Sequence, residues 1–217
     1  MRAIVVRHYK TLINASGQIM GWGDAPPVKE WEADLHYVES ILRQQDLRIS
    51  AIYTSYLDRA RRTGMFYARK WGIPMVHDMA ALNEINYGTL FRKSKLWVEQ
   101  NFPAHKKDPD LVYPEGESFH QMQMRSIRFM DSLCAKYRDK TLLVVVHAGV
   151  IRGFVSHYLE LNYADNLKRE ISHRYIGDFY LEAGRCARYD ELGEPSGFIN
   201  EGVLSVPLQR EDCQQAM

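Results

Sequence analysis

The sequence predicts an α/β fold, a three-layer α/β/α sandwich around a mostly parallel central sheet. Three observations carry this. Short β-branched runs at residues 3–6, 49–53 and 142–146 alternate with stretches whose apolar residues recur at helical spacing. The first and last runs are apolar throughout, the composition of buried strands. Both stop at a histidine, one at Arg7-His8 and the other at His147. Ligands bind at the carboxyl ends of strands in open α/β sheets, so two strands ending in histidine point to one shared site.

Each element follows in order. After the first strand, residues 9–29 form a long loop containing Gly17, Gly21, Gly23, Pro26 and Pro27, and long loops in compact domains are often functional. Leu35, Val38, Ile41 and Leu42 mark a helix. The strand at 49–53 closes at Thr54-Ser55, and Asp58 is the expected N-cap of a helix reaching Trp71. Gly72 and Pro74 stop it, and Met75-Val76-His77 reads as a short third strand. Residues 82–116 are irregular, with one short helix over 95–100. Pro114, Gly116 and Ser118 precede a long helix with an apolar face of Phe119, Met122, Phe129, Met130 and Leu133. Val150, Ile151, Phe154, Val155 and Tyr158 line one side of the helix after His147. Two short strands, 179–181 and 186–189, flank Gly184 as a final hairpin. With no linker or repeat, residues 1–208 are expected to be one domain and residues 209–217 a polar, disordered tail.

Bulk composition narrows the function. The 217 residues are 46% hydrophobic and 25% charged, ordinary for a globular protein with a core. A net charge of +1 gives no reason to expect nucleic acid or an acidic membrane as partner. The three cysteines, Cys134, Cys186 and Cys213, match no metal-ligand spacing and read as reduced thiols, so the expected location is the cytoplasm. No run approaches membrane-spanning length, and no signal peptide is expected.

Four short stretches supply chemistry. Arg7-His8 and His147 end strands, Arg59 opens a helix just after a strand, and Glu84 lies in Leu82-Asn83-Glu84-Ile85-Asn86-Tyr87-Gly88. Two guanidiniums, two imidazoles and one carboxyl group suit phosphoryl transfer. Guanidinium forks bind phosphate oxygens bidentately and stay charged. A neutral imidazole can attack phosphorus, and a carboxylic acid can protonate the leaving oxygen. Such a site needs no metal to neutralise the dianion, and none is expected. Glu115 and Glu117 are competing acids, but Glu117-Ser118 reads as helix capping. Asn14 also suits a turn. Arg92, Lys93, Lys95, Lys106 and Lys107 read mainly as solvated loop charges that could steer an anion.

These stretches resemble the histidine phosphatase superfamily, which includes the phosphoglycerate mutases. Arg7-His8-Tyr9-Lys10-Thr11 with Asn14 is similar to its nucleophile segment. Ser55-Tyr56-Leu57-Asp58-Arg59-Ala60-Arg61-Arg62-Thr63 carries its arginine motif intact. The Glu84 segment, Pro114-Glu115-Gly116-Glu117-Ser118 and Val146-His147-Ala148-Gly149-Val150-Ile151-Arg152 follow in family order. The resemblance implies a phosphoglycerate mutase-like sheet with one reversed strand. It makes His8 the phosphorylated nucleophile and Glu84 the general acid. Arg7, Arg59 and His147 would hold phosphoryl oxygens, with Asn14 and Ala148 contributing. The expected activity is metal-independent hydrolysis of a small phosphorylated metabolite, without cofactor.

Tyr9 and Lys10 depart from the family's usual glycine and acid, leaving substrate choice open. Two alternatives stand beside the phosphatase. One is a phosphoglycerate-type mutase, disfavoured because an arginine-rich continuation before the proline-rich turn is missing. The other is a non-enzymatic phosphate binder, kept in view by Tyr9. Residues 91–113 are expected to wall the pocket. The sequence leaves open whether the chain is a monomer or a homodimer.

Overall fold

The computed structural model describes residues 1–196, and the expected tail at 209–217, the boundary at 208 and Cys213 lie outside them. In chain order the elements are β1 (Arg2–Arg7), α1 (Leu12–Ala15), α2 (Trp31–Arg43), β2 (Ile49–Thr54), α3 (Asp58–Trp71), β3 (Val76–Asp78), α4 (Lys95–Asn101), α5 (Phe119–Lys136), β4 (Thr141–Val146), α6 (Ala148–Tyr158), α7 (Tyr163–Asn166), β5 (Ile176–Glu182) and β6 (Arg185–Glu191). The strands form one sheet in the order β3-β2-β4-β1-β5-β6. β1 and β4 pair in parallel, as do β2 with β4 and β3; β5 is the reversed strand, antiparallel to both β1 and β6.

The two runs that read as buried strands sit at the centre. Ala3 to Val6 and Leu142 to Val146 are all 0% exposed, because helices cover both faces. Alternation sorts their side chains. Ala3, Val5, Leu142, Val144 and Val146 meet Met122, Met130, Ile151 and Phe154 of α5 and α6. Ile4, Val6, Leu143 and Val145 meet Leu35, Val38 and Leu42 of α2 and Phe66 of α3. Arg7 is opposite Val146 in the register, so the next residues, His8 and His147, leave the sheet side by side. The His8 N–H donates to the Val146 carbonyl at 3.0 Å.

Several local expectations shift. The N-cap of α3 is Leu57, in extended conformation, rather than Asp58. Asp58 is the first helical residue and pairs with Arg62 at 2.7 Å, a position where the helix dipole favours a carboxylate. Gly72 ends α3 at φ 64°, a conformation that costs glycine nothing. β3 starts one residue later than expected. Ser118 caps α5 in a reciprocal box with Gln121, so Glu117 is not the capping partner. On α5 Ile127 is buried, and Phe129 is only half-buried, against Tyr53. The hairpin turns at Ala183 and Gly184, both at positive φ, as the twist of two-residue hairpins requires. Among the described residues no helix is long and apolar enough to cross a membrane.

Candidate active site

The carboxyl ends of β1 and β4 bring His8 and His147 together, with ring centroids 5.0 Å apart. Both are buried, at 2% and 0% exposure. His8 Nδ1 lies 2.6 Å from the Tyr9 carbonyl oxygen. A carbonyl only accepts, so Nδ1 carries the proton and Nε2 keeps its lone pair. His147 Nε2 meets the buried Ser55 hydroxyl at 2.7 Å. Burial first, and then the charge of Arg59, holds both imidazoles well below the usual histidine range.

Three arginines converge from different elements. Arg59, in the first turn of α3, is 1% exposed and donates to the carbonyls of Gly21 at 2.7 Å and Gly23 at 2.9 Å. Arg7 donates to the Ile171 carbonyl, and Arg152 of α6 to that of Arg169 at 2.8 Å. Each guanidinium has one edge tied to backbone, and the buried Nε of each has no hydrogen-bond partner among the described residues. His147 Nδ1 is in the same state. Burial pulls Arg7 and Arg59 down to about 10, with Arg152 adding to the effect on Arg7, so both stay charged near neutral pH. Arg7, His8, Arg59, Glu84, Lys95 and Arg152 line a cavity of about 430 Å³. A second depression of about 510 Å³ between α3 and β3 is lined by Met65, Ile73 and Met75; none of its lining residues has an unpartnered buried donor.

The Glu84 carboxylate accepts from the backbone N–H of Ile85 at 2.9 Å and of Gly149 at 3.1 Å. A Cβ at Gly149 would lie 2.1 Å from Glu84 Oε1, so this approach requires glycine. Arg125 braces the loop, donating to the carbonyls of Ala81, Asn83 and Glu84 at 2.9, 2.8 and 2.9 Å. It also pairs with Glu117 at 2.6 Å, and Glu117 accepts from the Asn86 N–H. Trp22 Nε1 donates to the Glu84 carbonyl from the other side at 2.6 Å.

All seven residues singled out from sequence meet at this end of the sheet. Arg7, His8, Asn14, Arg59, Glu84 and Ala148 line the cavity, and His147 stands beside His8. Asn14 also does turn work, its Oδ1 accepting from the Thr11 N–H at 3.2 Å. Lys95, read mainly as a solvated charge, lines the cavity from α4 while remaining exposed. Desolvation, then Arg7 and Arg152, lowers its pKa. Tyr9 does not enter the cavity; it is 1% exposed and packs on Trp31 with centroids 4.8 Å apart. Lys10 faces solvent. Sequence reasoning missed Arg152, Arg125 and His173, and it read Glu117 as part of a helix cap, whereas Glu117 pairs with Arg125 and accepts from the Asn86 N–H. Arg152 stood inside a quoted motif without a role, while Arg125 and His173 gave no local signal.

Three neutral imidazoles, the buried His8 and His147 and the half-buried His173, make stability depend on pH. His8 and His147 lie well below the usual 6.5, and His173 is pushed down to about 2 by burial and Arg7. The unfolded chain takes up these protons as pH falls through about 6.5 and the folded chain does not, so acid favours unfolding. Each imidazole contributes about 1.4 kcal/mol of lost stability per pH unit below that point. Urea unfolding without phosphate is therefore expected to show stability falling steeply from pH 7 to 5. A flat profile would mean that the imidazoles protonate within the fold.

The histidine phosphatase superfamily (branch 1) profile matches residues 3–186. A metal-independent phosphoserine phosphatase of Arabidopsis thaliana is 29% identical over 182 residues, covering 75% of this chain and 69% of that protein. A 2,3-bisphosphoglycerate-dependent phosphoglycerate mutase of Xanthobacter autotrophicus is 25% identical over 179 residues, covering 78% and 86%. A phosphoserine phosphatase variant from Entamoeba histolytica, solved with phosphoserine, shares the fold at TM-score 0.74 and 20% identity, over 90% of this chain and 95% of that one. Paired strand-end histidines, a buried helix-start arginine and a profile spanning most of the chain agree, and the chain belongs to the histidine phosphatase superfamily.

Proposed function

We propose that this chain is a metal-independent phosphomonoesterase that hydrolyses a small phosphorylated metabolite through a phosphohistidine at His8. One observation supports this most. A neutral His8 whose Nε2 is left free stands in one cavity with buried guanidinium nitrogens of Arg7 and Arg59 that no protein acceptor takes. His8 Nε2 attacks phosphorus and the ester P–O bond breaks. The leaving oxygen takes its proton from the Glu84 carboxyl group. Glu84 then takes a proton from water, whose oxygen attacks the phosphohistidine. The N–P bond breaks and inorganic phosphate leaves. Arg7, Arg59 and His147 hold the phosphoryl oxygens, with Asn14 and the N-terminal end of α6 at Ala148 contributing.

The relatives named as mutases favour a second reading, in which the phosphoryl group returns to another substrate hydroxyl. The binder reading loses its motive, since Tyr9 is turned into the core. The test is p-nitrophenyl phosphate hydrolysis in excess EDTA. Turnover that survives the chelator is the expected result. Isomerisation of a phosphoglycerate without phosphate release would decide for the mutase.

Glu84→Gln is expected to slow an alkyl phosphate by about 10²- to 10³-fold while slowing p-nitrophenyl phosphate far less. Nitrophenolate is a stable leaving group that needs little protonation. Equal slowing of both substrates would move the acid role away from Glu84.

A further inference from the structure

We propose that His173 is a positioning residue for His8, donating a hydrogen bond that fixes the nucleophile's backbone; the proposal rests on the phosphohistidine reading. His173 lies in the loop between α7 and β5, far from His8 in sequence. Its Nδ1 is 2.7 Å from the His8 carbonyl oxygen. Its ring stands edge-on to the His8 ring, with centroids 5.4 Å apart at 73°. A carbonyl accepts only, so His173 Nδ1–H is the donor.

The bonds around His8 show what this donor completes. The His8 N–H is tied to the Val146 carbonyl of β4 at 3.0 Å. The next N–H, of Tyr9, donates to Thr63 Oγ1 of α3 at 3.1 Å. The Tyr9 carbonyl accepts from His8 Nδ1 at 2.6 Å. His173 holds the remaining group of this set, the His8 carbonyl. The peptides on both sides of the His8 Cα are therefore pinned, by β4 on one side and by α3 and His173 on the other. With the backbone set, the bond from Nδ1 to Tyr9 sets the ring, and Nε2 has one direction of attack. Near-attack geometry of this kind is sensitive to displacements of an ångström. Burial keeps the His173 ring uncharged. A cation so close would draw on the lone pair that His8 uses.

Two variants separate the donor from the ring. His173→Phe keeps the ring and its edge contact but removes the N–H. His173→Asn removes the ring but places an amide N–H close to the position of Nδ1. With p-nitrophenyl phosphate, His173→Phe is expected to lower kcat about 10- to 100-fold with KM changed by less than about 2-fold, and His173→Asn to restore kcat to within about 5-fold of wild type. A role in packing alone predicts the reverse order, and that order would overturn the proposal. The ¹⁵N shifts of the wild-type histidines provide a test that does not depend on a variant folding. His173 is expected as the neutral Nδ1–H tautomer, and an Nε2–H tautomer would overturn the proposal. Wild type without hydrolysis or phosphohistidine would sink the phosphohistidine reading itself. Active wild type with a fully active His173→Phe sinks only the role of His173.

Discussion

His8→Ala is expected to lower kcat on p-nitrophenyl phosphate by about 10⁴-fold or more while the chain still folds. The size follows from the lack of a substitute. His147, the other strand-end imidazole, has its Nε2 engaged by the Ser55 hydroxyl at 2.7 Å, whereas the Nε2 of His8 is free because Nδ1 holds the Tyr9 carbonyl. Water attacking the ester directly would still find Arg7 and Arg59, so a small residual rate is expected from charge stabilisation. The fold should tolerate the change because the bond from the residue 8 N–H to Val146 is backbone and survives in alanine. Steady-state rates in EDTA and detection of phosphohistidine after acid-free quenching check both parts. A variant within about tenfold of wild type would assign the nucleophile elsewhere. The same variant removes one buried neutral imidazole, so its stability should depend less on pH between 7 and 5 than that of wild type.

Arg59→Lys is expected to cost roughly 10³-fold in kcat/KM, although it keeps the charge. Arg59 does two things with one planar group. Its terminal nitrogens hold the carbonyls of Gly21 and Gly23, and its buried Nε has no hydrogen-bond partner among the described residues, which fits the proposed phosphoryl contact. An ammonium has a single nitrogen on a flexible stem and cannot span both carbonyls while facing a phosphoryl oxygen. Loss of the carbonyl contacts should also loosen the segment carrying Trp22, whose indole holds the Glu84 carbonyl at 2.6 Å. The expected signature is weaker vanadate inhibition together with a lower kcat. Full vanadate affinity in this variant would remove Arg59 from the phosphoryl cradle.

The readable part of the site was the part carried by strand ends and short motifs. His8 and His147 could be paired from sequence because apolar runs, 3–6 before Arg7-His8 and 142–146 before His147, lead into them, and such runs belong in the middle of a sheet. Arg59 was readable because it falls in the first turn after β2. Glu84 was less so, since Glu84, Glu115 and Glu117 compete for the role and only contacts sort them. Glu84 accepts from the Gly149 N–H beside His147, while Glu117 is taken up by Arg125 and Asn86. The expected N-cap at Asp58 failed by one residue because a capping preference does not record where the extended backbone ends.

By itself, the sequence determined the layer order, the parallel centre of the sheet and the chemical groups at its carboxyl edge. Each of these follows from local periodicity and from what terminates each run. Tertiary structure decided which way Tyr9 points, and that Lys95 and Arg152 share the cavity with Arg7. It also decided that Arg125 braces the Glu84 loop and that His173 reaches the His8 carbonyl. These contacts join residues far apart in the chain, such as His173 and His8, 165 positions apart. No residue's neighbours in sequence encode such a meeting; it exists only once the strands are in register and the helices have closed over both faces of the sheet.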